Sequence, residues 1–70
     1  MNMTPVSSSN LSSVGYENGT LYIRFHNGRL YAYYNVPVSV YEALMSAGSH
    51  GKYFNANIRN LYAYARIGYS

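Results

Sequence analysis

The pair Asn27-Gly28, set between two runs of alternating residues, is the feature that most restricts what this chain can become. A two-residue hairpin turn of type I′ needs positive φ at both centres, and asparagine followed by glycine accepts that geometry. Read this way, Leu21 to Tyr34 is one hairpin whose turn sets the register. His26 is expected opposite Arg29, Phe25 opposite Leu30, Arg24 opposite Tyr31, Ile23 opposite Ala32, Tyr22 opposite Tyr33 and Leu21 opposite Tyr34. Alternation then sorts the side chains onto two faces. Leu21, Ile23, Phe25, Leu30, Ala32 and Tyr34 form an aliphatic face expected to be core. Tyr22, Arg24, His26, Arg29, Tyr31 and Tyr33 form the other, where function is expected.

A second Asn-Gly pair, Asn18-Gly19, joins this hairpin to a preceding strand from Leu11 to Tyr16 and sets Glu17 opposite Thr20, Tyr16 opposite Leu21 and Val14 opposite Ile23. Gly15 then falls beside Tyr22, and Ser13 beside Arg24. After the third strand, Val36-Pro37 stops the sheet, because proline lacks the amide that a ladder needs. Ser39 and Glu42 have the spacing of a capping box, which predicts a helix from Val38 to Ala47. Val40, Leu44 and Ala47 form its apolar stripe, with Tyr41 beside them and Gly48 as a left-handed stop. Ser49 is positioned to cap a second helix running to about Asn60, with Phe54, Ile58 and Leu61 at helical spacing. From Leu61 to Ile67 the period changes to two, which predicts a short last strand. Leu61-Tyr62-Ala63-Tyr64 repeats Leu30-Tyr31-Ala32-Tyr33, so both strands are expected to present the same tyrosine pattern. The whole is an α+β fold: a three-stranded antiparallel meander with two short helices on its aliphatic face and a short C-terminal strand. Residues 1–10 are serine-rich and expected as a flexible arm, and residues 11–70 as a single domain.

A core of this size rarely supplies more than roughly 3–5 kcal/mol without a disulfide, a metal or a partner subunit. The chain has no cysteine, so a homo-oligomer is the expected support, and a reducing compartment, the cytoplasm, the expected location. Nothing approaches the roughly eighteen apolar residues of a membrane span. A net charge of +3 favours anionic partners and is small for a protein that lives on long nucleic acid. Ten tyrosines stand out. Tyrosine buries a large flat face while keeping a wet hydroxyl, which suits subunit interfaces and base-stacking surfaces alike.

Catalytic chemistry finds little material. With no aspartate or cysteine, two glutamates and two histidines, there is no carboxylate pair and no nucleophile with a base and an orienting partner. No enzyme, cofactor or metal site is expected, and His26 and His50 are expected to titrate at the surface. Gly48-Ser49-His50-Gly51-Lys52 lacks the spacing of a nucleotide-triphosphate loop. Ser49 and Gly51 open a helix whose amides could hold one phosphate or carboxylate; alternatively the two glycines only permit a tight turn between helices. Asn55 and Arg59 share a helix face. They either grip an anion or a base edge, or Arg59 ties the helix to backbone carbonyls or Glu42.

The chain resembles the KTSC domain family, named for its occurrence at the C-terminus of some lysyl-tRNA synthetases. The resemblance runs from Val6 to about Arg66. It is carried by Val6 with Ser8-Ser9, Val14-Gly15-Tyr16, Leu21, Ile23, Phe25, Gly28, Tyr31 and Tyr33, then by Val36-Pro37, Val40-Tyr41, Ala47, Ser49, Gly51, Tyr53-Phe54-Asn55 and Ile58-Arg59. A proline that the family often has in the segment matching Leu61 to Tyr64 is alanine here. The resemblance implies a small α+β domain of bacteria and their phages, with RNA binding as its one suggested role.

Two ligand classes fit a face that interleaves tyrosine and arginine. Single-stranded RNA would stack bases on Tyr31 and Tyr33 while Arg24, Arg29 and Arg66 meet phosphates. A small nucleotide needs only two arginines and a tyrosine sandwich drawn from Tyr22, Tyr31, Tyr33, Tyr62 and Tyr64. The scarcity of cations favours the small nucleotide, because affinity for a polyanion scales with phosphate contacts. The expected function is therefore non-enzymatic sequestration of a small (cyclic) nucleotide signal, with a phage counter-defence sponge as one use. RNA binding and a structural protein–protein module, with the tyrosines packed against another subunit, are the alternatives.

Overall fold

The computed structural model describes residues 2–68, in which five antiparallel strands form one sheet and two helices cover one of its faces. The strands are β1 (Thr4–Pro5), β2 (Leu11–Glu17), β3 (Thr20–Phe25), β4 (Leu30–Tyr33) and β5 (Tyr64–Gly68), in that spatial order. Helices α1 (Val38–Ser46) and α2 (His50–Asn57) lie between β4 and β5 in the chain. The meander, the two helices and the C-terminal strand are those expected. Thr4–Pro5, inside the segment expected as an arm, pairs with Val14 and Ser13 as a two-residue edge.

The two Asn-Gly pairs build different turns. Asn18 and Gly19 have φ of 52° and 81°, the double positive of a type I′ turn, and the predicted β2–β3 pairs Glu17–Thr20, Tyr16–Leu21 and Val14–Ile23 all form. At the other end of β3 the loop has three residues instead of two. The Gly28 N–H donates to the Phe25 carbonyl and the Phe25 N–H to the Arg29 carbonyl, both at 2.9 Å, with Gly28 alone at positive φ, 89°. This is a type I turn closed by a left-handed glycine. Its consequence is a register one residue away from the prediction: Leu21 pairs with Tyr33, Tyr22 with Ala32, Ile23 with Tyr31 and Arg24 with Leu30. A one-residue shift moves every β4 side chain to the opposite face. Tyr31 and Tyr33 therefore join Leu21 and Ile23 beneath the helices, while Leu30 and Ala32 share the far face with Tyr22 and Arg24.

The core is the helix-facing side of this sheet. Val14, Leu21, Ile23 and Tyr33 meet Leu44 of α1 and Phe54 of α2, with Ile58 just beyond. A bulge between Leu11 and Ser13 brings Leu11 into the same layer. Tyr16 stacks on Tyr41 at 5.0 Å between centroids, and its hydroxyl donates to the Val36 carbonyl, tying α1 to β2.

Three local expectations fail. The capping box is absent: Pro37 is the N-cap, so Ser39 falls inside the first turn, where its hydroxyl cannot meet the N3 amide, and no side chain caps α1. Gly48 is not left-handed, because α1 ends on an extended Ala47 whose N–H donates to the Leu44 carbonyl. Helix α2 stops at Asn57 with Ile58 as C-cap, so Leu61 leaves the helical stripe and is 67% exposed. The cap on α2 is as predicted, Ser49 Oγ accepting from the Lys52 N–H at 3.3 Å.

Tyr33 is nearly buried, and burial together with the neighbouring Tyr31 and Tyr64 hydroxyls pushes its phenol up to about 12, against a smaller opposing pull from Arg59. Two outcomes follow from this packing. Leu44→Ala should lower stability by about 2–5 kcal/mol, while Leu61→Ala stays within about 0.5 kcal/mol; urea midpoints measure both. Between the ordinary tyrosine value of 10 and about 12, the unfolded chain releases the Tyr33 proton and the folded one retains it. Stability should therefore be lost as pH rises through that window, and Tyr33→Phe should flatten the decline in urea titrations at stepped pH.

Candidate aromatic cleft

The register at Gly28 places rings where an alternating strand alone could not. Tyr31 and Tyr33 are two apart on β4 and stack with their planes inclined by 24°, centroids 6.4 Å apart. Tyr64 is the β5 partner of Tyr33, and its ring lies 5.5 Å from that of Tyr33 and 5.8 Å from that of Tyr31. From the other side Phe54 of α2 meets Tyr33 edge-on at 5.4 Å, and Phe25 at the end of β3 meets both Tyr31 and Phe54 edge-on. Five rings thus form one continuous layer. Its inner members, Tyr33 and Phe54, are core, and its outer member, Tyr64, is 57% exposed.

Above this layer the surface opens into a cleft of about 560 Å³, within the range of small-molecule sites. The aromatic layer is its floor. Arg29, on the β3–β4 turn, and Arg59, just after α2, bring positive character to its rim, and His26 of the same turn adds an imidazole. Ser9, Asn10, Asn55 and Asn60 supply neutral donors and acceptors, and no carboxylate lines the cleft among the described residues. Arg59 lies near enough to Tyr33 to oppose the rise of its phenol. Such a site offers flat apolar faces to a planar ring and cations to an anion attached to it.

The wall formed by Ser9 and Asn10 is held by specific bonds. His26 Nε2 lies 2.7 Å from the Ser8 carbonyl, and the His26 N–H donates to the Asn10 carbonyl at 3.3 Å. Ser8 Oγ accepts from the N–H groups of Asn10 and Leu11, both at 3.2 Å. Gly51 is buried beneath this bend, where an added Cβ would sit 3.5 Å from Ser8 Oγ and Asn10 Nδ2. At that distance an added methyl would make ordinary van der Waals contact, so the bend packs on the start of α2 without requiring glycine there.

Of the twelve residues singled out from the sequence, the cleft brings together Arg29, Tyr31, Tyr33, Asn55, Arg59 and Tyr64. Tyr22 and Arg24 lie on the opposite face, where Arg24 Nη1 reaches the Gly28 carbonyl at 3.5 Å. Their expected grouping with Tyr31 and Tyr33 fails with the register. Ser49 is occupied as the α2 cap, Tyr62 packs against the core, and Arg66 pairs with Tyr31 along β5. Both histidine rings meet backbone carbonyls, His50 Nδ1 lying 2.8 Å from that of Leu44. Asn10, His26, Phe54 and Asn60 were outside the sequence-derived ligand set. The local signals, a helical stripe for Phe54 and a place on the expected functional strand face for His26, describe their elements and not the cavity where those elements meet.

The described structure contains no cluster of three potential metal-ligating side chains and no helix long and apolar enough to cross a membrane. Comparison with known proteins matches residues 7–62 to the KTSC domain. The chain is 40% identical over 70 residues to an uncharacterized protein of Stutzerimonas stutzeri, covering 96% of this chain and 99% of that one. It is 37% identical over 59 residues to a protein of Tsukamurella paurometabola, with 81% and 88% covered. A 48-residue stretch is 38% identical to part of a lysine–tRNA ligase of Nostoc sp., spanning 69% of this chain and 9% of the ligase. The fold is similar to the crystal structure of a KTSC domain protein from Yersinia pestis, with a TM-score of 0.93, 36% identity and 96% and 97% of the two chains covered. Sequence and architecture together make this chain a member of the KTSC domain family.

Proposed function

We propose that the cleft binds a small nucleotide, its base stacked on Tyr64 and Tyr31 and its phosphate held by Arg59 with Arg29. The observation that carries this reading is the continuous ring layer opening under cations in a cavity of ligand size. A half-exposed tyrosine braced from below by buried rings presents a flat face that loses little entropy on stacking. Asn55 and Asn60 add amides able to pair with a base edge. Sequestration of a nucleotide signal is the use consistent with a chain that has no aspartate or cysteine for turnover. The register also favours the small ligand over long RNA. Arg24 and Tyr22 face away from Tyr31 and Tyr33, which leaves a polyanion fewer cations along one surface.

RNA binding is the second reading, supported by the stretch shared with a lysine–tRNA ligase. Thermal stability against mononucleotides, cyclic dinucleotides and short oligonucleotides separates the two, since a ligand that binds the native state at a hundredfold over its dissociation constant raises stability by about 2.7 kcal/mol. A small nucleotide should stabilise the protein with weak salt dependence. Tyr64→Ala and Arg59→Ala should each weaken that binding by about 5- to 150-fold, equivalent to ~1–3 kcal/mol, while Tyr22→Ala leaves it unchanged. A shift with oligonucleotides alone, steep in salt, would replace this reading with the RNA one. No shift with any of them would overturn both.

A further inference from the structure

The two edges of the sheet are unlike. β1 is a two-residue edge that carries Pro5, which protects it from pairing. β5 has five residues, no proline, and no strand beyond it among the described residues. Exposed apolar side chains gather along it and its approach, with Leu61, Tyr64 and Ile67 at 67, 57 and 48% exposure. The β4–β5 ladder fixes which backbone groups point outward. The Tyr34 N–H donates to the Ala63 carbonyl at 2.8 Å, and Ala32 pairs with Ala65. Alternation then directs the N–H and C=O groups of Ala63 and Ala65 toward β4, and those of Tyr64 and Arg66 away from the sheet.

We infer that β5 is a homodimer interface, in which two copies pair antiparallel about Ala65. Three symmetric registers keep Tyr64 and Arg66 as the bonding residues. One sets Arg66 against the partner's Arg66, and like charges directly opposite are unfavourable. One sets Tyr64 against the partner's Tyr64 and shortens the overlap. The third sets Tyr64 against the partner's Arg66 and Arg66 against the partner's Tyr64, with Ala65 meeting the partner's Ala65 on the two-fold axis. This register is self-complementary. Paired Cα atoms about 5.5 Å apart put each guanidinium within reach of the opposing ring. Directly opposed residues share a face, so each partner's Arg66 stands beside the Tyr64 that lines the other subunit's cleft. The Tyr64 end of each cleft would gain the partner's Arg66, in addition to the chain's own Arg66 that stands opposite Tyr31. This last consequence rests on the ligand reading above, and the interface itself does not.

The chain lacks cysteine, so single cysteines report the pairing cleanly. The unliganded protein should have twice the monomer mass by light scattering at about 100 µM. Under mild oxidation Ala65→Cys should form a covalent dimer at least tenfold faster than Arg66→Cys or Tyr64→Cys. A monomer mass overturns the interface. A dimer that cross-links fastest through Arg66→Cys or Tyr64→Cys overturns the register, and one in which none of the three cross-links overturns the use of β5. Because mass and cross-linking are read without nucleotide, a cleft that binds nothing leaves these results unchanged.

Discussion

The turn between β3 and β4 governs this structure, because its length decides which half of β4 meets the helices. Gly28 at positive φ satisfies either a two-residue type I′ turn or a three-residue turn closed by a left-handed glycine. Local chemistry therefore leaves the choice open, and packing makes it. The two-residue turn would have put Leu30, Ala32 and Tyr34 beneath α1 and α2. The observed turn puts Tyr31 and Tyr33 there instead. A buried tyrosine removes about 150–250 Å² from water, far more than an alanine can. In a domain with so little core, that difference is large.

From this register the cleft follows. Tyr33 anchors a ring layer that begins in the core at Phe54 and ends at the surface at Tyr64. The same side chains that stabilise the fold thus support the proposed binding surface, and the platform is braced before any ligand arrives. Residues from four parts of the chain converge on it: the bend at Ser9 and Asn10, the turn at His26 and Arg29, the α2 face at Phe54 and Asn55, and Tyr64 of β5. The bend is held by backbone bonds to His26 and by close packing on Gly51.

Much of the architecture could be read from short-range signals that have a single physical solution. Asn18-Gly19 built the type I′ turn that its residues favour, because the strands on both sides agreed with it. Ser49 capped α2, and Leu44, Phe54 and Ile58 reached the core from their helical spacing. The misreadings occurred where a local signal had a competitor. Ser39 and Glu42 had the spacing of a capping box, yet Pro37 already occupied the N-cap. Leu61 continued a helical period by count, but α2 ended before reaching it. For the candidate site, half of the residues named from the sequence meet in the cleft, and the separation of Tyr22 and Arg24 from Tyr31 and Tyr33 traces to one residue of register.

Composition and local pattern were enough for the α+β class, the meander, the two helices and the choice of tyrosine and arginine as the chemistry to follow. Each rests on interactions within a few residues or on the kinds of side chain present. The face that the tyrosines occupy, the cleft, and the convergence of Asn10, His26 and Asn60 upon it were decided by the tertiary structure. A strand's period of two says which residues share a face but not which face is buried. That is settled only when the sheet meets its helices and the larger apolar surface leaves water.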